Sequence, residues 1–255
     1  MEWLAILGLF TAGVLIATAA MAIGIGGGIL WTPLLIVGYG LSPSEAVTLS
    51  LLIQVIGLGS GSWVYLRSGL SNHRLSLLLF AVAAPGVMIG SLFSLHLAQS
   101  HVQLALGIMA MTLALLFVAV GEGDEGRSRT ANTRRRLWGI LPVPAFFGGM
   151  MGLLSTGIGE WIIPLLKSRL GIEMRRAIAT VIPVMFLLAL TAASLRTFYI
   201  ADPIAWEYVL WGGLGTLIGG QIGPQLNKRM AERLLKEAFI YLMTLVGIHL
   251  IFQAV

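Results

Sequence analysis

The 255-residue chain contains no cysteine. Disulfides, thiolate metal ligands and thiol nucleophiles are excluded with it. Charge is almost as scarce. Asp, Glu, Lys and Arg make up 11% of the residues, against roughly 25% in an average soluble domain. Histidine occurs only at positions 73, 96, 101 and 249, with no metal-ligand spacing. The remainder is apolar: 57% of the residues are hydrophobic and the mean hydropathy is +0.92. A soluble fold of this composition has too little polar surface to cover itself, so the chain uses lipid as its solvent. The pI near 10.0 does not mark a nucleic-acid partner, because Lys and Arg gather in short connectors. No cofactor is expected.

The charge-free runs are long. None of Asp, Glu, Lys or Arg occurs from Trp3 to Ser44, Ala46 to Leu66, Leu75 to Gly121, Leu137 to Gly159, Ala177 to Leu195 or Tyr208 to Asn227. A spanning helix needs about 20 apolar residues to cross a core of roughly 30 Å, and unbroken apolar runs in lipid read as helices. The runs divide into about ten segments: 3–23, 27–38, 46–66, 76–97, 103–120, 138–155, 158–167, 177–196, 207–226 and 236–252. Segment 3–23 lacks the basic flank of a signal peptide and reads as a retained helix. Two segments are too short to cross. At 1.5 Å per residue, 27–38 spans about 18 Å and 158–167 about 15 Å. Each follows a glycine-rich break, and such broken helices persist at membrane depth only when buried in protein or lining a wet cavity.

Cations mark the cytoplasmic connectors. They cluster in 67–74, 121–136, 167–176 and 227–236, whereas 39–45, 98–102 and 197–207 are poor in them. Ten crossings satisfy every connector, with both termini outside. The polar stretch 121–136 is then a basic cytoplasmic linker between an N-terminal repeat, 1–120, and a C-terminal repeat, 137–255. The two halves match at an offset of 131: Gly26, Gly28, Pro33, Leu34 and Leu35 fall on Gly157, Gly159, Pro164, Leu165 and Leu166. Gly40 falls on Gly171 and Ala46 on Ala177. After a two-residue slip, Gly86 and Gly90 fall on Gly215 and Gly219. Five crossings per copy is odd, so the second copy is inverted. The expected fold class is an all-α polytopic membrane protein of two inverted repeats, each with one broken or half-length helix. That is a recurring transporter plan, with substrate near the midplane.

The stretches Gly24-Ile-Gly-Gly-Gly-Ile-Leu-Trp-Thr-Pro33 and Leu41-Ser-Pro-Ser-Glu-Ala-Val-Thr-Leu-Ser50 resemble the first half of the TauE/SafE-type sulfite exporter family. Gly157-Ile-Gly-Glu-Trp-Ile-Ile-Pro164 and Arg176-Ala-Ile-Ala-Thr180 resemble its second half. In the second motif, Glu160 and Trp161 stand where the family more often has small or aliphatic residues. The resemblance implies a transporter in the cell's inner membrane that moves small sulfur-containing anions, such as sulfite, thiosulfate or organosulfonates, or related organic anions.

The residues themselves allow this chemistry. Glycine lets a backbone approach a ligand closely, and free N–H groups at a helix start attract anions. Close helix packing is the competing use of the same glycines. Glu160 is the one ionisable residue between Leu137 and Leu166, and an intramembrane acid is a functional candidate by default. It could carry a proton or bind a coupling cation, or it could bond backbone freed by the break. The candidate substrate-binding set is Gly24, Gly26, Gly27, Gly28, Thr32, Gln54, Thr156, Gly157, Gly159, Trp161 and Thr180, with Glu160 for coupling. Trp3, Trp63, Tyr65, Trp138, Tyr199, Trp206 and Trp211 read as interfacial anchors. Ser42-Pro43-Ser44-Glu45 reads as a capping box. The competing classes are an intramembrane enzyme, for which no Ser–His or paired-Asp motif is present, and a non-transporting assembly partner.

Overall fold

The computed structural model describes residues 3–93, 138–156, 158–200 and 204–231, with separate helical positions within 104–118 and 234–252. The linker 121–136 and Gly157 lie outside the described residues. The described residues form helices and connectors, with no strand. In chain order they are α1 (Trp3–Ile23), α2 (Gly28–Pro33), α3 (Pro43–Arg67), α4 (His73–Phe93), α5 (Pro142–Leu154), α6 (Ile158–Leu170), α7 (Met174–Leu195) and α8 (Trp206–Arg229). Trp3–Ile23, Pro43–Arg67, His73–Phe93 and Met174–Tyr199 are long and apolar enough to cross a membrane. The protein is an all-α polytopic membrane protein.

The helix ends follow from local chemistry. α1 stops where Gly24 takes φ +85°, a conformation that glycine adopts without a Cβ penalty. Pro33 closes α2 after six residues, and the backbone widens into a π-turn over Leu34–Gly38. Proline has no N–H to continue the helical ladder. α3 begins at Pro43, three residues before the segment expected at 46. The capping box sets that start: Glu45 N–H donates to Ser42 Oγ at 3.4 Å and Ser42 N–H to Glu45 Oε2 at 3.1 Å. α6 has 13 residues, about 20 Å, longer than expected yet still short of the hydrocarbon core.

Backbone details recur at the offset of 131. The left-handed residues Gly24 (φ +85°) and Ser155 (φ +65°) form one such pair, and Gly40 (φ +67°) and Gly171 (φ +65°) another. Gly24 N–H donates to Ala20 O as Ser155 N–H donates to Met151 O. Leu41 N–H to Leu35 O at 3.2 Å is matched by Ile172 N–H to Leu166 O at 3.3 Å. Packing partners also come in corresponding pairs. α1 lies along α8 as α5 lies along α4, and α3 contacts α8 as α7 contacts α4.

Glycine rows make two of these contacts close. Gly86, Gly90, Gly148 and Gly152 bring α4 and α5 together, while Gly13, Gly215, Gly219 and Gly223 do so for α1 and α8. A Cβ on Gly90 would meet the Gly149 carbonyl, whereas one on Gly139 would meet nothing within 4 Å. Small residues let membrane helices pack backbone to backbone, and this is where the later glycines serve. Gly90→Ala is therefore expected to cost about 1–3 kcal/mol, read as a lowered melting temperature in detergent. Gly139→Ala is the control, and equal melting of the two variants would contradict the packing.

Candidate functional site

The two helix breaks cross each other. A Cβ on Gly28 would run into the Ser155 carbonyl, and one on Gly159 would lie 2.9 Å from Gly24 O. Gly24 and Gly28 therefore meet Gly159 and Ser155 backbone to backbone. Breaking a helix frees backbone groups that must find partners away from water, and side chains from several helices supply them.

Glu160, fully buried on the first turn of α6, reaches into the first break. Its Oε1 accepts from Gly26 N–H at 2.8 Å and from Thr156 Oγ1 at 3.5 Å. Gln54, 3% exposed in the middle of α3, reaches into the second break. Its Nε2 donates to Ser155 O at 3.1 Å and lies 2.6 Å from Ser155 Oγ and 3.2 Å from Ser50 Oγ. Thr32 Oγ1 donates to Leu154 O at 3.4 Å. At the end of α1, Tyr65 donates to Met21 O and Asn227 Nδ2 donates to Ala22 O. Residues from each half thus brace the break of the other.

The sequence-derived set is largely brought together here. Gly24, Gly26, Gly27, Gly28, Thr32, Gln54, Thr156, Gly159 and Glu160 line the crossing or bond across it. Gly157 is outside the described residues. Trp161 follows Glu160 and stacks on Phe147 with ring centroids 4.2 Å apart. Thr180 sits elsewhere. It donates to Arg176 O and accepts from Asn72 N–H, beside a pocket of about 370 Å³ between the α3–α4 and α6–α7 connectors. Tyr65, expected at the interface, is buried and braces α1 instead.

Three further residues belong to the crossing and its supports. Met185 touches both Gly26 and Gly159; it stands at the offset of 131 from Gln54, and its apolar side chain gives no sequence signal. Asn227 is a buried polar residue at the end of a glycine-rich helix. Arg196 is fully buried at the end of α7, donating to Thr48 Oγ1 at 2.7 Å and to Ser44 O and Oγ at 3.1 and 3.0 Å.

A family match covers this whole arrangement. The pattern of the family described as "Sulfite exporter TauE/SafE" matches residues 9–250. The chain belongs to that family. A curated relative from Bacillus subtilis (strain 168), named "Probable membrane transporter protein YunE", is 22% identical over 271 residues. The alignment covers 97% of this chain and 97% of the relative. No solved structure matches this TauE/SafE family member. The match spans both breaks, so the crossing lies inside the part of the chain that defines the family.

Proposed function

We propose that this protein transports small sulfur-containing anions, sulfite, thiosulfate or organosulfonates among them, out of the cell across the inner membrane. On this reading it is a transporter and not an enzyme, and the bilayer and the anion are its partners. The observation that carries the proposal is the meeting of two helix breaks around a buried Glu160, within a chain of a sulfite exporter family. Backbone recurrence at the offset of 131 and the paired helix contacts support two repeats, 1–120 and 137–255, inverted about an axis in the membrane plane. Transporters of this plan bind substrate where the repeats meet.

The anion engages the backbone of the breaks, through Gly24–Gly28 on one side and Thr156–Glu160 on the other. A cavity beside Gly27 and Gln54 has only about 10 Å³ of space, close to that of one water. A larger anion enters when the two repeats rock apart, which is the motion that alternating access requires. Glu160 couples the cycle to a proton or to a cation bound beside the anion.

The test is flux of sulfite against pH in liposomes containing only this chain. Glu160→Gln keeps the shape and the acceptor oxygen that Gly26 N–H needs, and removes the ionisation. It is expected to retain sulfite binding while transport loses its pH dependence. Glu160→Ala leaves Gly26 N–H without its acceptor, which costs about 1–3 kcal/mol, and should bind about tenfold or more weakly. A wild-type pH profile in Glu160→Gln would reduce the carboxylate to a structural brace. No flux from the wild-type chain would end the transport reading.

A further inference from the structure

Gln54 carries a second message. The Ser155 carbonyl can only accept, so the amide that meets it must present its NH₂ group. The orientation of Gln54 is thereby fixed, and its Oε1 faces the other way. That oxygen is buried and has no hydrogen-bond partner. The side chain lines the small cavity bounded by Ala20, Gly27, Trp31, Gly57 and Thr216. A buried acceptor left unmet costs roughly 1–3 kcal/mol; a water can recover it at rest, and an anion that displaces this water must bring a donor of its own to do so.

We propose that the transported anion presents an O–H or N–H donor to Gln54 Oε1, so that the protein selects a singly protonated oxyanion over its fully ionised form. This deepens the transport reading above and rests on it. The charge arrangement points the same way. The walls of the cavity, from α1, α2, α3 and α8, carry no acid or base. The titratable group at the crossing is Glu160 of α6, bonded to Gly26 next to Gly27. Two acceptors, a carboxyl and an amide oxygen, flank the crossing. A dianion placed among them meets acceptors on both sides, whereas a monoanion with one proton has a donor for Gln54 and oxygens left for backbone N–H groups. The cavity admits one hydroxyl-sized group and no more. The anion then carries its own proton through the cycle, and that proton is distinct from any held by Glu160.

The experiment compares two monoanions of similar size at one pH. Hydrogen sulfite carries a proton and methanesulfonate has none to offer. Wild-type protein is expected to bind hydrogen sulfite at least about tenfold more tightly, and to bind sulfate, a dianion, worse than either. Because methanesulfonate does not titrate, its binding against pH reports the protein's own groups, Glu160 at the crossing among them, and the ratio of the two anions isolates the substrate's proton. Gln54→Met places at position 54 the residue found at Met185 and should bring the preference to within about twofold. The wild-type comparison stands even if that variant fails to fold. Equal binding of methanesulfonate and hydrogen sulfite overturns the inference and leaves the transport reading intact. Binding of none of the three anions overturns both.

Discussion

Gly28→Ala is expected to lose about 3 kcal/mol or more of stability, far beyond the effect of the same change one residue earlier. The added methyl group would run into the Ser155 carbonyl oxygen and lie 2.8 Å from Gln54 Nε2. The carbonyl is backbone at the end of α5, and its residue is already held at φ +65°, so neither can yield without moving a helix. Gly27→Ala meets Trp31 Cδ1 at 3.4 Å, Gln54 Cγ at 3.5 Å and Ile16 Cγ2 at 3.7 Å, which is ordinary contact, and should cost no more than about 1 kcal/mol of stability. Gly26→Ala falls between them, because it meets Glu160 Oε1 at 2.9 Å and Met185 Cε at 3.1 Å. Both are ends of flexible side chains. Its main effect should be on the Gly26–Glu160 bond, and hence on the pH profile of transport. Melting temperatures of the three variants in detergent order them. A Gly28→Ala protein as stable as Gly27→Ala would show that the breaks do not cross in this way.

The crossing was legible in outline because its signals are local. Glycine runs, short apolar segments and a lone acid in a charge-free stretch all survive in one dimension. The capping box at Ser42–Glu45 was legible for the same reason. The pairing of Glu160 with Gly26, 134 residues apart, was not, since it depends on how two breaks meet in space. Thr180 shows the limit of repeat alignment. The offset places it correctly along α7, but not on the face that reaches the crossing, and it bonds the α3–α4 connector instead. Position 185 in the second half corresponds to Gln54 in the first, and there the chain uses methionine. A methionine that packs on both breaks carries no polar signal in one dimension. Tyr65 lies near a helix end, as an interfacial anchor does, yet it is buried and its hydroxyl serves Met21. Interfacial aromatics and buried braces look alike in sequence when they share a helix end.

Arg196→Met is the second substitution with a large expected effect. Its residue closes the segment 177–196, where a count of connector charges passes over it. In the structure its guanidinium ties the end of α7 to the first turns of α3, through Thr48 Oγ1 and the Ser44 carbonyl and hydroxyl. A fully buried cation is expensive to desolvate and is tolerated only where its hydrogen bonds are met. Each charge-assisted hydrogen bond lost with the guanidinium is worth about 1.5–3 kcal/mol. Methionine fills much of the volume but has no donor to offer α3. Lysine keeps the charge without the planar fork that reaches Thr48 and Ser44 together, so Arg196→Lys should recover only part of the loss. The consequence extends to motion, because α3 and α7 are the corresponding helices of the two halves, and the α3–α4 connector and the start of α7 border the 370 Å³ pocket at the opposite end. With the tie cut, the ends at Ser44 and Arg196 should separate more readily. The absence of cysteine makes this directly readable. A single cysteine at Ser50, buried at the crossing, should react with a membrane-impermeant thiol reagent added outside several-fold faster in Arg196→Met than in the otherwise native chain. Unchanged labelling with an unchanged melting temperature would mean that Arg196 neither holds these helix ends together nor limits access to the crossing.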